Sequence, residues 1–161
     1  MSGPYRFAAS RLHPALLLVL ALITATLFSP AQASEQKVAI GDYEFHYSIF
    51  PSAQLTPEVA REYGLTRSRA IGIVNAVILK KPESSSAVAM PVDGAVEGQV
   101  TNDLRQVRQL QFKTVREGQA VYYLAQFQYQ NAELLTFTLE ARPQRSDVVL
   151  PVRISQALFS D

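Results

Sequence analysis

The sequence predicts an all-β domain: an antiparallel two-sheet sandwich, immunoglobulin-like or transthyretin-like, of about seven strands with one short helix near residues 57–63. Three observations lead there. Runs with period-two alternation recur along the chain, from Tyr43-Glu44-Phe45-His46-Tyr47 to Leu135-Thr136-Phe137-Thr138-Leu139. Turn signals built on Gly, Asn, Asp and Pro separate these runs at fairly even intervals. A single segment carries helix start and stop signals, so the alternation of strands with long helices that a parallel sheet requires is missing.

The first 33 residues have the three parts of a secretory leader. Arg6, Arg11 and His13 form a basic region, Ala15 to Phe28 an apolar stretch, and Ala31-Gln32-Ala33 a small-residue cleavage motif. The apolar stretch is shorter than the roughly 20 residues that span a bilayer, and Ser29-Pro30 ends it. Cleavage between Ala33 and Ser34 is therefore expected, leaving residues 34–161 as one periplasmic domain with no stable membrane insertion. Cysteine is absent, which rules out lipoprotein processing, thiolate metal sites and disulfide staples. The whole chain carries a formal charge of +1, and without Arg6 and Arg11 it falls to about −1. That balance predicts no nucleic-acid partner and no anionic membrane surface.

Taken in order, Lys37 to Phe50 reads as one half-buried strand, with Tyr43, Phe45, Tyr47 and Ile49 on one parity and Pro51 ending it. Thr56 then suits an N-cap, Pro57 the first helical position, and Glu58 the positive end of the helix dipole. Gly64 is the expected left-handed stop, with Leu65 folding back as in a Schellman motif. A helix of two turns is too short to stand alone, so Val59, Ala60 and Tyr63 are expected to dock on the β core. Ala70 to Leu79 is apolar and β-branched on both parities, a strand covered on both faces. After the serine-rich loop at 83–87, a strand over 88–100 is expected to be irregular, with Gly94 and Gly98 marking bulges or an edge position. A fourth strand is expected over 107–115 with Leu110 and Phe112 inward, a fifth over 119–129, and a sixth over 134–141. The last runs from Val148 to about Phe159, an edge strand because of Pro151.

The inventory for chemistry is thin. His46 is the one histidine beyond the leader, so no histidine metal cluster is available and no metal or cofactor is called for. A hydrolase would need His46 as its base, yet His46 sits on the polar parity of an ordinary strand and no nucleophile-elbow motif is present. No catalytic residue is assigned. Four residues stand out as ligand or partner contacts. Arg67 and Arg69 share parity with Asn75 if the segment is extended, and either faces an anion or pairs with Glu58, Glu62 or Glu117. Asn75 interrupts an apolar run, so its amide needs a partner, most simply loop backbone or a strand end. Tyr122 and Tyr123 point to opposite faces, which leaves one of them as a surface residue or an interface anchor.

The strand with Tyr43, Phe45, His46 and Tyr47, the stretch LTPEVAREYGLTRSRAIGIVN, the segment EGQAVYYLAQF from Glu117 to Phe127 and the final strand ending in Phe159 carry a family resemblance. Together with the leader, they make the chain similar to the exported proteobacterial family catalogued as domain of unknown function 4426. The likeness runs over essentially the whole mature chain and departs at Pro51, where the family pattern has Asn. It implies export and the domain limits, and it brings no activity, substrate or site residues. The resulting expectation is a soluble, non-catalytic binding or interaction module of the cell envelope, whose partner is an unknown envelope protein or a small ligand. A small-ligand protein, with an anion as one candidate ligand, is the alternative.

Overall fold

The computed structural model describes residues 36–82 and 88–160. The expected leader, its Ala33–Ser34 cleavage point and the loop 83–87 lie outside the described residues. The strand expected over 37–50 is two strands, β1 (Gln36–Ile40) and β2 (Tyr43–Pro51), paired antiparallel with Ile40 opposite Tyr43. Gly41 makes the turn at φ +57, where its missing Cβ removes the steric penalty at the first central position of a tight hairpin. Val38 lies opposite Phe45, so the inward parity changes from even to odd across the two turn residues.

A 3-10 turn (Ser52–Gln54) leads into α1 (Pro57–Glu62). Its limits are those the sequence signals. The Thr56 hydroxyl accepts from Val59 N at 3.3 Å, and Gly64 adopts φ +57. Leu65 N donates to Ala60 O at 2.7 Å and Gly64 N to Arg61 O at 3.2 Å, the two bonds of a Schellman motif. Ala60 is the buried residue of this helix.

β3 (Ile71–Lys80) follows, buried on both faces in its first half. The strand expected over 88–100 divides into β4 (Met90–Pro91) and β5 (Gly94–Asn102), and the one over 107–115 into β6 (Val107–Gln109) and β7 (Lys113–Glu117). β8 (Ala120–Gln128), β9 (Glu133–Pro143) and β10 (Leu150–Leu158) complete the chain. One sheet has the order β1-β2-β3-β8-β7 with β4 beside the far end of β3; the other has the order β10-β9-β5-β6. β4 and β5 therefore belong to different sheets, as do β6 and β7. These two sheet changes and the β1–β2 hairpin turn seven expected strands into ten among the described residues, while the antiparallel sandwich stands.

β5 pairs β9 along its length but β6 only over Gln99–Thr101, so Gly94 has a strand partner on one side only, an edge position as expected, and both glycines also admit close neighbours. A Cβ on Gly94 would lie 2.3 Å from Arg142 O. β10 is an edge strand, as Pro151 requires. Between the sheets lie Phe45, Val74, Ile78, Val100, Leu135 and Phe137, each at most 1% exposed. Burial on that scale stabilises by about 1.5–3 kcal/mol for each large side chain. Phe127 meets Phe137 edge-on with ring centroids 5.0 Å apart, and Tyr123 crosses from β8 to β5, accepting from Gly94 N at 2.8 Å. Among the described residues no helix is long and apolar enough to cross a membrane.

Candidate functional site

The sandwich buries one face of each sheet, but the outer face of the larger sheet is also apolar in its middle. Ile73, 1% exposed, lies there between Phe50 on β2 and Gln126 on β8. The segment from Ser52 to Ser68 arches over this patch and is tied down by side chains bonded to backbone. Ser68 N donates to Ser52 Oγ at 2.9 Å, and that hydroxyl donates back to Ser68 O at 3.1 Å. Gln126 grips Thr66 twice, its Nε2 donating to Thr66 O at 2.9 Å and its Oε1 accepting from Thr66 N at 3.2 Å. The Lys113 ammonium donates to Tyr63 O at the C-terminal end of α1, where the dipole favours a cation.

Under this arch a cleft of about 160 Å³ remains. Val59 of α1, its C-cap Tyr63 and the flanking Leu55 and Leu65 form one wall; Ile73 and Leu124 form the floor. Asn75 stands in that floor, opposite Ser48 on β2 and Leu124 on β8. Its Oδ1 is buried with no hydrogen-bond partner among the described residues, so the expected bond to loop backbone or a strand end is not made. Tyr122 lines the same cleft, on the face opposite buried Tyr123. Such an unmet acceptor costs about 1–3 kcal/mol, and it is set among apolar surfaces that leave room for an occupant.

Two of the four residues singled out from sequence thus come together, and two do not. Arg67 is exposed and donates to Ala53 O at 3.2 Å; this bond helps hold the arch and replaces the pairing considered with Glu58, Glu62 or Glu117. Arg69 is exposed. The parity argument that aligned both with Asn75 fails because the chain turns before β3, where Ile71 N donates to Ser68 O at 3.3 Å. Glu117, which reads in sequence as part of a turn, lies in the cleft wall at the end of β7. Its signal was the parity it shares with Val115, legible only once the pairing of Val115 with Tyr122 is known.

His46 lies on the outer face of β2, 18% exposed in its side chain, with Nε2 2.8 Å from Glu44 Oε2. Lys37 and Lys81 approach the same carboxylate at 3.8 and 3.5 Å. The hydrogen bond from His46 holds the Glu44 carboxyl below its ordinary range; burial opposes this, and the two lysines add to it. The group is an ion cluster tying β1, β2 and the end of β3 together. Among the described residues no group of three or more His, Cys, Asp or Glu side chains is arranged to hold a metal ion.

No curated protein matches the chain. Among solved structures, a DUF4426 family protein of Pseudomonas aeruginosa PAO1 is 34% identical, with 79% of this chain and 96% of that one covered and a TM-score of 0.66. FetP of uropathogenic Escherichia coli strain F11, crystallised after recombinant expression in the periplasm of E. coli BL21(DE3), is 12% identical. It covers 76% of this chain and 91% of its own at a TM-score of 0.50, a likeness of fold. The family model described as domain of unknown function DUF4426 matches residues 37–161, and with the Pseudomonas relative it shows that the chain belongs to the DUF4426 family.

Proposed function

We propose that the protein is an exported, periplasmic binding module without catalytic work of its own, and that the cleft under α1 is its binding site. The occupant is a small apolar group carrying one hydrogen-bond donor, presented by an envelope protein or by a free ligand. The observation that carries this reading is the buried Asn75 Oδ1, an acceptor without a hydrogen-bond partner among the described residues, in a mainly apolar pocket whose wall also carries Glu117. A cavity of roughly 150 Å³ suffices for a benzene ring, so 160 Å³ accommodates a phenol or a side chain of similar size. The secretory leader read from Arg6 to Ala33 supports the periplasmic location, as does the shared fold with a protein expressed in that compartment.

The test is titration of the purified protein with p-cresol and with toluene, which has the same ring and methyl group without the donor. The Asn75 side-chain amide and the methyl groups of Val59 and Leu124 are expected to shift with p-cresol, and p-cresol is expected to bind several-fold tighter. Equal binding of the two probes removes Asn75 from the site, and no response to either removes the cleft. Amino-terminal sequencing of the protein from a periplasmic fraction is expected to begin at Ser34; recovery with the leader intact in the cytoplasm overturns the location.

A further inference from the structure

One end of the sandwich carries a second cleft, independent of the one under α1 and of about 520 Å³. It opens between the loop before β3, the β5–β6 turn and the β8–β9 turn, and Ser68, Gln106, Arg108, Gln128, Gln130 and Glu133 give it a polar lining. Arg108 breaks the pattern of its strand. On β6 it stands opposite Val100, which is 1% exposed, and it shares parity with buried Leu110. It therefore occupies the side of the strand that faces the other sheet, where a strand ordinarily places an apolar residue.

The Arg108 side chain is partly buried there, and among the described residues it makes no hydrogen bond and no ion pair. Glu133, which also lines the cleft, forms no ion pair with it; its Oε2 accepts from Gln130 N at 2.7 Å and closes the β8–β9 turn. Asn102 and Gln106 are likewise bonded to each other, Nδ2 to Oε1 at 2.9 Å, so neither takes up the guanidinium, the one cation among the described residues in the lining of the cleft. Removing a cation from water without a counter-charge is costly, and a planar guanidinium matches a carboxylate through two parallel hydrogen bonds.

The geometry points to a carboxylate-binding site at this end of the sandwich. Arg108 holds the carboxylate, and the Ser68 hydroxyl and the Gln128 amide meet hydroxyl or amide groups on the rest of a polar ligand. A sugar acid and the free C-terminus of a peptide offer the same chemistry. An inward charge on an edge strand also discourages pairing with another chain, and the experiment separates the two roles.

Isotope-labelled protein is titrated with galacturonate and with N-acetyl-alanyl-alanine, each against its neutral counterpart, galactose and the peptide amide. At least one acid is expected to shift the backbone amides of Ser68, Gln106 and Gln130 while its neutral counterpart does not, and the responding acid identifies the source. Arg108→Gln is expected to weaken that binding at least about tenfold, the scale of one lost charge-assisted pair. Arg108→Lys keeps the charge without the fork and is expected to fall between. Silence toward both acids, or binding by Arg108→Gln equal to the parent's, overturns the proposal. Self-association of Arg108→Gln, with no carboxylate binding by the parent, assigns the charge to edge protection instead.

Discussion

Replacing Asn75 with leucine is expected to make the protein more stable while it damages the cleft. The two side chains are close in size, and the exchange removes an acceptor whose Oδ1 is buried without a partner. Relief of an unsatisfied polar group is worth about 1–3 kcal/mol, and new apolar contact with Ile73 and Leu124 adds about 25 cal/mol per Å². Asn75 is only partly buried, so a net gain of about 1–2 kcal/mol is expected. The 160 Å³ of the cleft takes up the added methyl groups without overpacking. For a domain of this length each kcal/mol moves the melting midpoint by about 3–5 °C. Urea unfolding followed by far-ultraviolet circular dichroism measures it, because the chain has no tryptophan, and the m value is expected to stay the same. A gain in stability with loss of p-cresol selectivity is the signature of a residue kept for binding at the expense of stability. A lower midpoint at unchanged m overturns this expectation, because it means that the amide supports the fold.

Gly64→Val is expected to destabilise by more than about 1 kcal/mol, since φ +57 is a left-handed conformation that a β-branched residue resists; an unchanged melting midpoint removes the helix stop from this account. Tyr123→Phe deletes the hydroxyl that accepts from Gly94 N at 2.8 Å and donates to Gly94 O at 3.2 Å, at an expected cost of about 1–2 kcal/mol in urea unfolding. A variant as stable as the parent shows that this link between the sheets is dispensable. Glu44, whose folded-state carboxyl titrates below its ordinary range, contributes stability that is present above the unfolded carboxyl value of about 4.3 and is lost as pH falls through the lower folded value. Unfolding midpoints of the parent and Glu44→Gln are therefore expected to differ at neutral pH and to converge in acid, and a gap that widens on acidification contradicts that sign.

The parts of the fold legible in the sequence were those with short-range causes. Thr56, Pro57, Gly64 and Leu65 marked α1 to within a residue because capping is a matter of neighbouring backbone groups. Phe45, Ile49, Leu135, Phe137 and Leu139 were legible as core from alternation alone, since period two assigns side chains to faces. The candidate site was half legible. Asn75 announced itself as an amide in an apolar run, and Tyr122 by its position beside Tyr123. Arg67 and Arg69 were misplaced because the parity count assumed a strand where the chain turns, and Arg108 raised no signal, since its strand is three residues long.

The class of fold, the limits of the helix and the inward faces of the long strands follow from the sequence alone. Only the tertiary structure decided that Val92-Asp93 and Leu110 to Phe112 carry the chain from one sheet to the other, that the arch from Ser52 to Ser68 covers the outer face of β3, and that Asn75 lies beneath it without a partner. The physical reason is one of range. Alternation and capping are set by atoms a few residues apart, whereas the choice of sheet and the closing of a cleft depend on partners far along the chain, such as Thr66 with Gln126 and Val100 with Phe137.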